Sequence, residues 1–303
     1  MQLTLRFWMG AVPVRLVVYL ALVCASLYAL LRLFELYLEP QASDPFSRWA
    51  AWATISPYLH LASAIVSILI YCCLVAYFEK RPVSELAGPK PGPTLMAGVL
   101  LGVGLVATYY AILMVLGNAE LQATRQSAGE LMVNLRYAAM QSAGTAVAEE
   151  ILFRGILFRI LQQGFGTTVS LAFSAILFAL AHALNPDTTI LGIVGIVGGG
   201  LMMATAYAAT QRLWLPIGVH FGWNFALGGL FANPKSELGT KPLMDFHFEG
   251  RDYLTGGAFR SDGPEDLVIS ILLCWAVAGF LGWVAKRRGL WRPIALRLRL
   301  DPA

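Results

Sequence analysis

Apolar runs of about 20 residues recur along the chain, separated by short stretches rich in Pro, Gly, Lys and Arg. A run of that length matches an α-helix crossing the hydrocarbon core of a bilayer. The pattern predicts about eight helices, near residues 16–38, 57–78, 94–117, 131–162, 167–184, 189–210, 213–231 and 267–285. Turn chemistry fills the gaps: Pro40 and Pro45, Pro82, the run Gly88-Pro89-Lys90-Pro91-Gly92-Pro93, Gly164 and Gly166, and Asn185-Pro186-Asp187. The predicted fold is all-α: a polytopic membrane bundle forming a single integral membrane domain over 1–303. Residues 130–232 form its motif-bearing core. Residues 232–266, with Pro234, Pro242 and Pro264, read as an external loop.

Composition strengthens this reading. Hydrophobic residues make up 57% and charged residues 13% of the chain, about half the charged share of a soluble domain. The net charge of +4 is no sign of nucleic-acid binding, because the basic residues gather at the ends of apolar runs. With the N-terminus in the cytoplasm, Arg6, Arg15, Lys80, Arg81, Lys90, Arg159, Arg212, Lys286, Arg287, Arg288, Arg292, Arg297 and Arg299 fall inside, which is 13 of the 22 Lys and Arg. Arg48, Arg125, Lys235, Lys241, Arg251 and Arg260 fall outside, and Arg32, Arg136 and Arg154 lie within helices. That bias places both termini in the cytoplasm, and the basic C-terminal end is expected on the anionic inner surface. The first apolar run is too long for a signal-peptide core and reads as an uncleaved membrane helix. The pattern fits a bacterial inner membrane. Cys24, Cys72, Cys73 and Cys274 all sit in apolar runs and read as buried structural thiols. Gly195-x-x-x-Gly199 and Gly218-x-x-x-Gly222 have the spacing of close helix contacts, and the second pair brackets His220.

Three polar clusters interrupt the apolar segments: Glu149-Glu150-x-x-x-Arg154, Phe178-x-x-x-His182 and His220-x-x-x-Asn224. Lipid solvates none of these groups, so each needs a partner, water or a substrate. Glu150 and Arg154 share a helix face and can pair. Glu149 points about 100° away, free to face a cavity. Two carboxylates in different surroundings can take different acid–base roles.

The combination suits amide hydrolysis. Glu149 can serve as general base, with His182 helping to hold the water. His220 and Asn224 can donate hydrogen bonds to the tetrahedral oxyanion. Alternatively Glu149, His182 and His220 form a zinc site with an open water position. Both versions stay open, and the H-E-x-x-H motif is absent. At about 1.5 Å per residue, Glu149 and His182 lie at matching depths of about 21 and 22 Å from their helix ends, whereas His220 comes out at about 11 Å. Either the seventh helix is tilted or it starts below the membrane surface. His60 and His247 receive no role.

The clusters, in this order on successive helices, resemble the CPBP family: type II CAAX prenyl proteases and bacterial bacteriocin-processing or abortive-infection membrane proteins. The resemblance covers about residues 130–232, and Glu149-Glu150-Ile-Leu-Phe-Arg154-Gly155 follows the family's E-E-x-x-x-R pattern. It implies an eight-helix intramembrane endopeptidase acting on a membrane-associated peptide or protein. Glu149 and His182 would activate water, His220 and Asn224 would stabilise the transition state, and Glu150 and Arg154 would support them. Family members are described both as zinc-dependent and as glutamate proteases. Some act as immunity or scaffold proteins, so a non-proteolytic membrane protein of the same fold is the competing expectation. A transporter is a third, with the intramembrane charges lining an ion path.

Overall fold

The computed structural model describes residues 11–38, 45–122, 126–183, 189–231, 242–249 and 268–296. The helices are α1 (Val12–Leu38), α2 (Pro45–Leu74), α3 (Pro91–Val115), α4 (Ala128–Glu150), α5 (Arg159–Phe165), α6 (Thr167–His182), α7 (Ile190–Thr210), α8 (Trp214–Phe225) and α9 (Val268–Arg287). Three π-helical stretches extend them. Val75–Glu79 continues α2, Ile151–Phe158 joins α4 to α5, and Ala226–Leu230 continues α8. Counting each unbroken run once, the described residues form eight rods, close to the predicted ranges. The second rod starts well before the expected residue 57, because Pro57 lies inside α2 rather than opening it.

One detail departs from an all-α reading. Strand β1 (Ala119–Gln122) pairs antiparallel with β2 (Asp245–Phe248), with Ala119 opposite Phe248 and Gln122 opposite Asp245. The ribbon ties the end of α3 to the segment after α8, and Phe246 packs on Tyr110. Most of the expected external loop, residues 232–241 and 250–266, lies outside the described residues, as does Asn185-Pro186-Asp187.

Five runs are long and apolar enough to cross a membrane: Val12–Leu36, Thr54–Glu79, Pro91–Val115, Ile190–Thr210 and Val268–Arg287. Their length and composition are those of an integral membrane protein. The rods that fail this test are α4–α5, which is rich in charge, and the shorter α6 and α8. Those three carry every polar cluster singled out in the sequence.

Glycine sets a close helix–helix contact in the bundle. A Cβ on Gly218 would fall 2.2 Å from the Leu95 carbonyl oxygen, and one on Gly222 would fall 2.3 Å from that of Val99. On the facing helix, Gly98 and Gly102 touch the α8 backbone just as tightly. The two backbones therefore meet over one full turn, fixing α8 against α3. The other predicted pair does not act as one. Gly199 has open space around it, whereas Gly198 meets Trp275 of α9 and Gly200 meets Ala175 of α6. The α7 glycines serve two neighbours on different faces, which the four-residue spacing misjudged.

The thiols also need correction. Cys274 is buried, but Cys24 and Cys73 are exposed on the outer helix faces and Cys72 is intermediate, and none of the four forms a disulfide among the described residues. In a membrane protein the outward face is itself apolar, so an apolar run does not separate inward from outward positions.

A second departure concerns charge. Arg15 and Arg159, counted as basic residues of the inner boundary, are buried in an ion network at that end of the bundle. Arg159 grips Glu79 with both terminal nitrogens at 2.7 and 2.8 Å. Its Nε donates to the Gly155 carbonyl at 2.8 Å. Arg15 donates to Gln163 Oε1 at 2.6 Å and lies 3.9 Å from Glu79. Arg81 donates to Glu79 Oε2 at 2.8 Å and to Glu85 Oε2 at 3.1 Å. Burial opposes the Arg81 charge, but the bonds to Glu85 and Glu79 outweigh it and hold the guanidinium above its ordinary pKa. The connection after α2 then docks on the start of α8. The Glu85 carbonyl accepts from Leu213 N–H at 3.0 Å, the Leu86 carbonyl accepts from Trp214 Nε1 at 2.9 Å, and Arg212 donates to the Ser84 carbonyl.

Candidate active site

The capping box formed by Ser127 and Glu130 starts α4. The helix ends at Glu149 and Glu150, where the backbone widens into the π stretch Ile151–Phe158. Stretches of this kind recur at functional sites. Glu150 and Arg154 are fully buried and bonded at 2.8 Å, as their four-residue spacing predicts. Arg154 also donates to the Gly200 carbonyl of α7 at 2.9 Å, which fixes the guanidinium from a second helix.

One bond was invisible in the sequence. Glu150 Oε1 accepts not only from Arg154 but also from His220 Nδ1, at 2.9 Å across 70 residues of chain. That bond orients the ring so that its Nε2 faces Glu149 Oε2 at 3.9 Å. On the other side His182, the last residue of α6, gives Nδ1–H to the Phe178 carbonyl at 2.8 Å. Its Nε2 lies 4.0 Å from the same Glu149 oxygen. Two imidazoles from different helices thus flank one carboxylate oxygen.

Exposure separates the two glutamates. The Glu149 side chain is 27% exposed and that of His182 25%, whereas Glu150 is at 0% and His220 at 5%. Glu149 Oε2 finds no hydrogen-bond partner among the described residues. Glu150 is committed to holding, and Glu149 is available to react. Asn224 lies one helical turn beyond the buried His220 and is itself half-buried. Phe178 is a hub: its ring centroid is 4.6 Å from His182, 6.1 Å from His220 and 4.8 Å from the Arg154 guanidinium.

The depth mismatch has two physical causes. The π stretch makes a wider, shorter turn than an α-helix, so Glu149 is shallower than a continuous α-helix implies. In addition α8 does not start at a surface: Leu213 is buried, and the 80–90 connection covers it. His220 consequently meets Glu149 despite its fewer residues of helix.

Sequence reasoning passed over Gln141. It lies two turns before Glu149, with Thr145 between, and all three are half-buried. Its Oε1 is buried without a partner among the described residues. The spacing Gln141, Thr145, Glu149 was the available signal, a polar stripe four residues apart.

The zinc alternative can be tested on the donors themselves. Zinc–nitrogen bonds of about 2.0–2.1 Å put tetrahedral donors about 3.4 Å apart. The separations of 3.9 and 4.0 Å are wider. Among the described residues no group of three or more His, Cys, Asp or Glu is close enough to hold a metal ion. A water bridging Glu149 and one imidazole at ordinary hydrogen-bond lengths of about 2.8 Å suits this spacing directly.

Residues 133–226 match the family described as type II CAAX prenyl endopeptidase Rce1-like. The matched stretch contains every residue of the three clusters. The searches of curated proteins and of solved structures returned no match.

Proposed function

We infer that this membrane protein, with its Rce1-like segment at residues 133–226, is an intramembrane endopeptidase that cleaves a membrane-associated peptide or protein. The family is one of proteases, which supports a hydrolase at that level. The observation that carries the finer reading is the Glu149 side chain, 27% exposed, whose buried Oε2 has no hydrogen-bond partner among the described residues and is flanked by the Nε2 atoms of His182 and His220.

The chemistry follows from that geometry. A water held by Glu149 and His182 gives its proton to Glu149 as its oxygen attacks the scissile carbonyl carbon. Negative charge develops on the carbonyl oxygen. His220 and the Asn224 carboxamide are the donors assigned to it. A ring that already gives Nδ1–H to Glu150 donates through Nε2 only as an imidazolium. The Glu150 carboxylate accepts that Nδ1–H, and Arg154 keeps Glu150 from carrying an unpaired charge. When the tetrahedral intermediate collapses, the C–N bond breaks and the proton on Glu149 passes to the leaving nitrogen. The site lies among apolar helices, where such hydrogen bonds are stronger than in water.

The test is hydrolysis of membrane-anchored peptides in reconstituted vesicles, with fragments identified by mass spectrometry. Glu149→Ala and His182→Ala should each lower the rate by about 10²–10⁴-fold. Wild-type hydrolysis matched by Glu149→Ala would remove the catalytic role of Glu149, and no hydrolysis by the wild type would leave the scaffold reading. Metal content, measured beside activity, separates a metal-free Glu/His mechanism from a zinc site using Glu149, His182 and His220. A bacterial inner membrane, with both termini cytoplasmic, remains the proposed setting, and protease protection of tagged termini tests it.

A further inference from the structure

The chain beyond α9 is bonded to the bundle. It turns at Gly289, whose φ is +68°, and runs beneath the junction of α5 and α6. Arg292 N–H donates to Thr167 Oγ1 at 2.8 Å, and Thr167 N–H donates back to the Arg292 carbonyl at 3.1 Å. Ala295 N–H donates to the Phe165 carbonyl at 3.4 Å. Gly166, at φ +86°, permits the crossing, since a Cβ there would fall 2.1 Å from the Pro293 carbonyl oxygen. Thr167 is the first residue of α6 and fully buried. An external segment therefore satisfies an N–H at the start of that helix which the helix itself leaves orphaned.

The outer side of this segment has a distinct chemistry. Ile294 and Leu296 are 69% and 76% exposed. Lys286, Arg287, Arg288 and Arg292 are exposed beside them. Lys286 Nζ sits 4.7 Å from the Trp291 ring centroid, and the Arg287 guanidinium sits 5.3 Å from that of Trp283. The helix Val268–Arg287 is long and apolar enough to cross a membrane, so the residues after it emerge at headgroup depth. Exposed aliphatic side chains interleaved with cations and indoles match a surface that is anionic and apolar at once. An acidic soluble protein would satisfy the cations but leave Ile294 and Leu296 in water. An anionic leaflet satisfies both.

We propose that residues 286–296 form a brace that binds anionic phospholipid headgroups at the α9 C-terminal end and so holds the start of α6, whose last residue is His182. The lipid contact stands on its own observations. Its consequence for catalysis rests on the proteolytic reading above.

The test compares the full-length protein in phosphatidylcholine nanodiscs with the same protein in discs containing phosphatidylglycerol, following amide hydrogen exchange by mass spectrometry. Exchange in the peptides spanning 165–170 and 288–296 should slow by about tenfold in the anionic discs, because several cations act on one surface. High salt should reverse the effect. The variant K286Q/R287Q/R288Q/R292Q should lose it while exchange in α3 stays at the wild-type rate. The wild-type lipid comparison needs no variant, so misfolding of the quadruple variant does not blunt it. Equal exchange in the two discs overturns the proposal, as does equal protection from inorganic phosphate added to neutral discs. Glu149→Ala carries the same exchange test. If it shows the lipid response without hydrolysis the brace stands and the catalytic link is tested separately, whereas its loss in both proteins removes the brace alone.

Discussion

Two buried ionic clusters occupy the same bundle and are built differently. The network of Arg15, Glu79, Arg81, Glu85 and Arg159 is saturated on its acids: Glu79 receives both arms of Arg159 and a bond from Arg81, and Glu85 receives Arg81 and lies 3.6 Å from Arg159 Nε. The cluster of Glu149, Glu150, Arg154, His182 and His220 leaves oxygen atoms of both glutamates unbonded among the described residues, and one of those glutamates is open to the outside. Burying charge is costly, and completing every bond recovers only part of that cost. A cluster that forgoes bonds it has the atoms to make is keeping them for something that arrives later. Unfilled acceptor atoms on a partly exposed side chain, rather than charge density, distinguish a reactive cluster from a structural clasp.

That distinction can be broken by experiment. The largest effect should come from Glu149→Ala, which lowers peptide hydrolysis by about 10²–10⁴-fold while moving the thermal midpoint in detergent by little, because no bond at Oε2 is lost. A large drop in midpoint would show that Glu149 is structural after all. Arg159→Ala should do the reverse. It leaves Glu79 with only Arg81 and the more distant Arg15 and should cost about 3–5 kcal/mol of stability, read as a lowered unfolding midpoint, and any residual folded protein should keep its hydrolytic rate per molecule within a few-fold. Glu150→Gln sits between the two. It keeps an acceptor for His220 but removes the charge that orders the ring, so hydrolysis should fall by about 10–100-fold together with a measurable loss of midpoint. The smallest effect concerns placement alone: Gly222→Ala forces α8 off Val99 and should cost about 1–3 kcal/mol, whereas Gly199→Ala, with open space around it, should be silent in the same melt.

How much of this was legible beforehand depends on the distance over which a feature is encoded. The eight rods, the Glu150–Arg154 pair and the Gly218–Gly222 contact are periodic or local, and a single strand of sequence displays them. The bond from Glu150 to His220 spans 70 residues, and that from Arg159 to Glu79 spans 80. Nothing local announces either one. Arg15 and Arg159 looked like boundary residues because membrane-end cations normally are, and only the fold reveals the two glutamates waiting for them. The thiols failed for a related reason, since lipid and protein interior accept the same side chains. Gln141 was legible but overlooked, because its stripe of four-residue spacing ran into a stronger signal at Glu149.

The π stretch at Ile151–Phe158 lies between the two clusters, with Glu150 just before it and Arg159 just after. Each of its turns takes in one residue more than an α-helical turn, as i→i+5 replaces i→i+4. It therefore acts as an angular gearbox between two halves of one rod. Deleting a single residue there, with every charged side chain untouched, would swing the far half by about 100° and carry Arg159 away from Glu79 while Glu150 still met His220. Residue count in that segment is thus as firm a constraint on this protein as the identity of any acid or base within it.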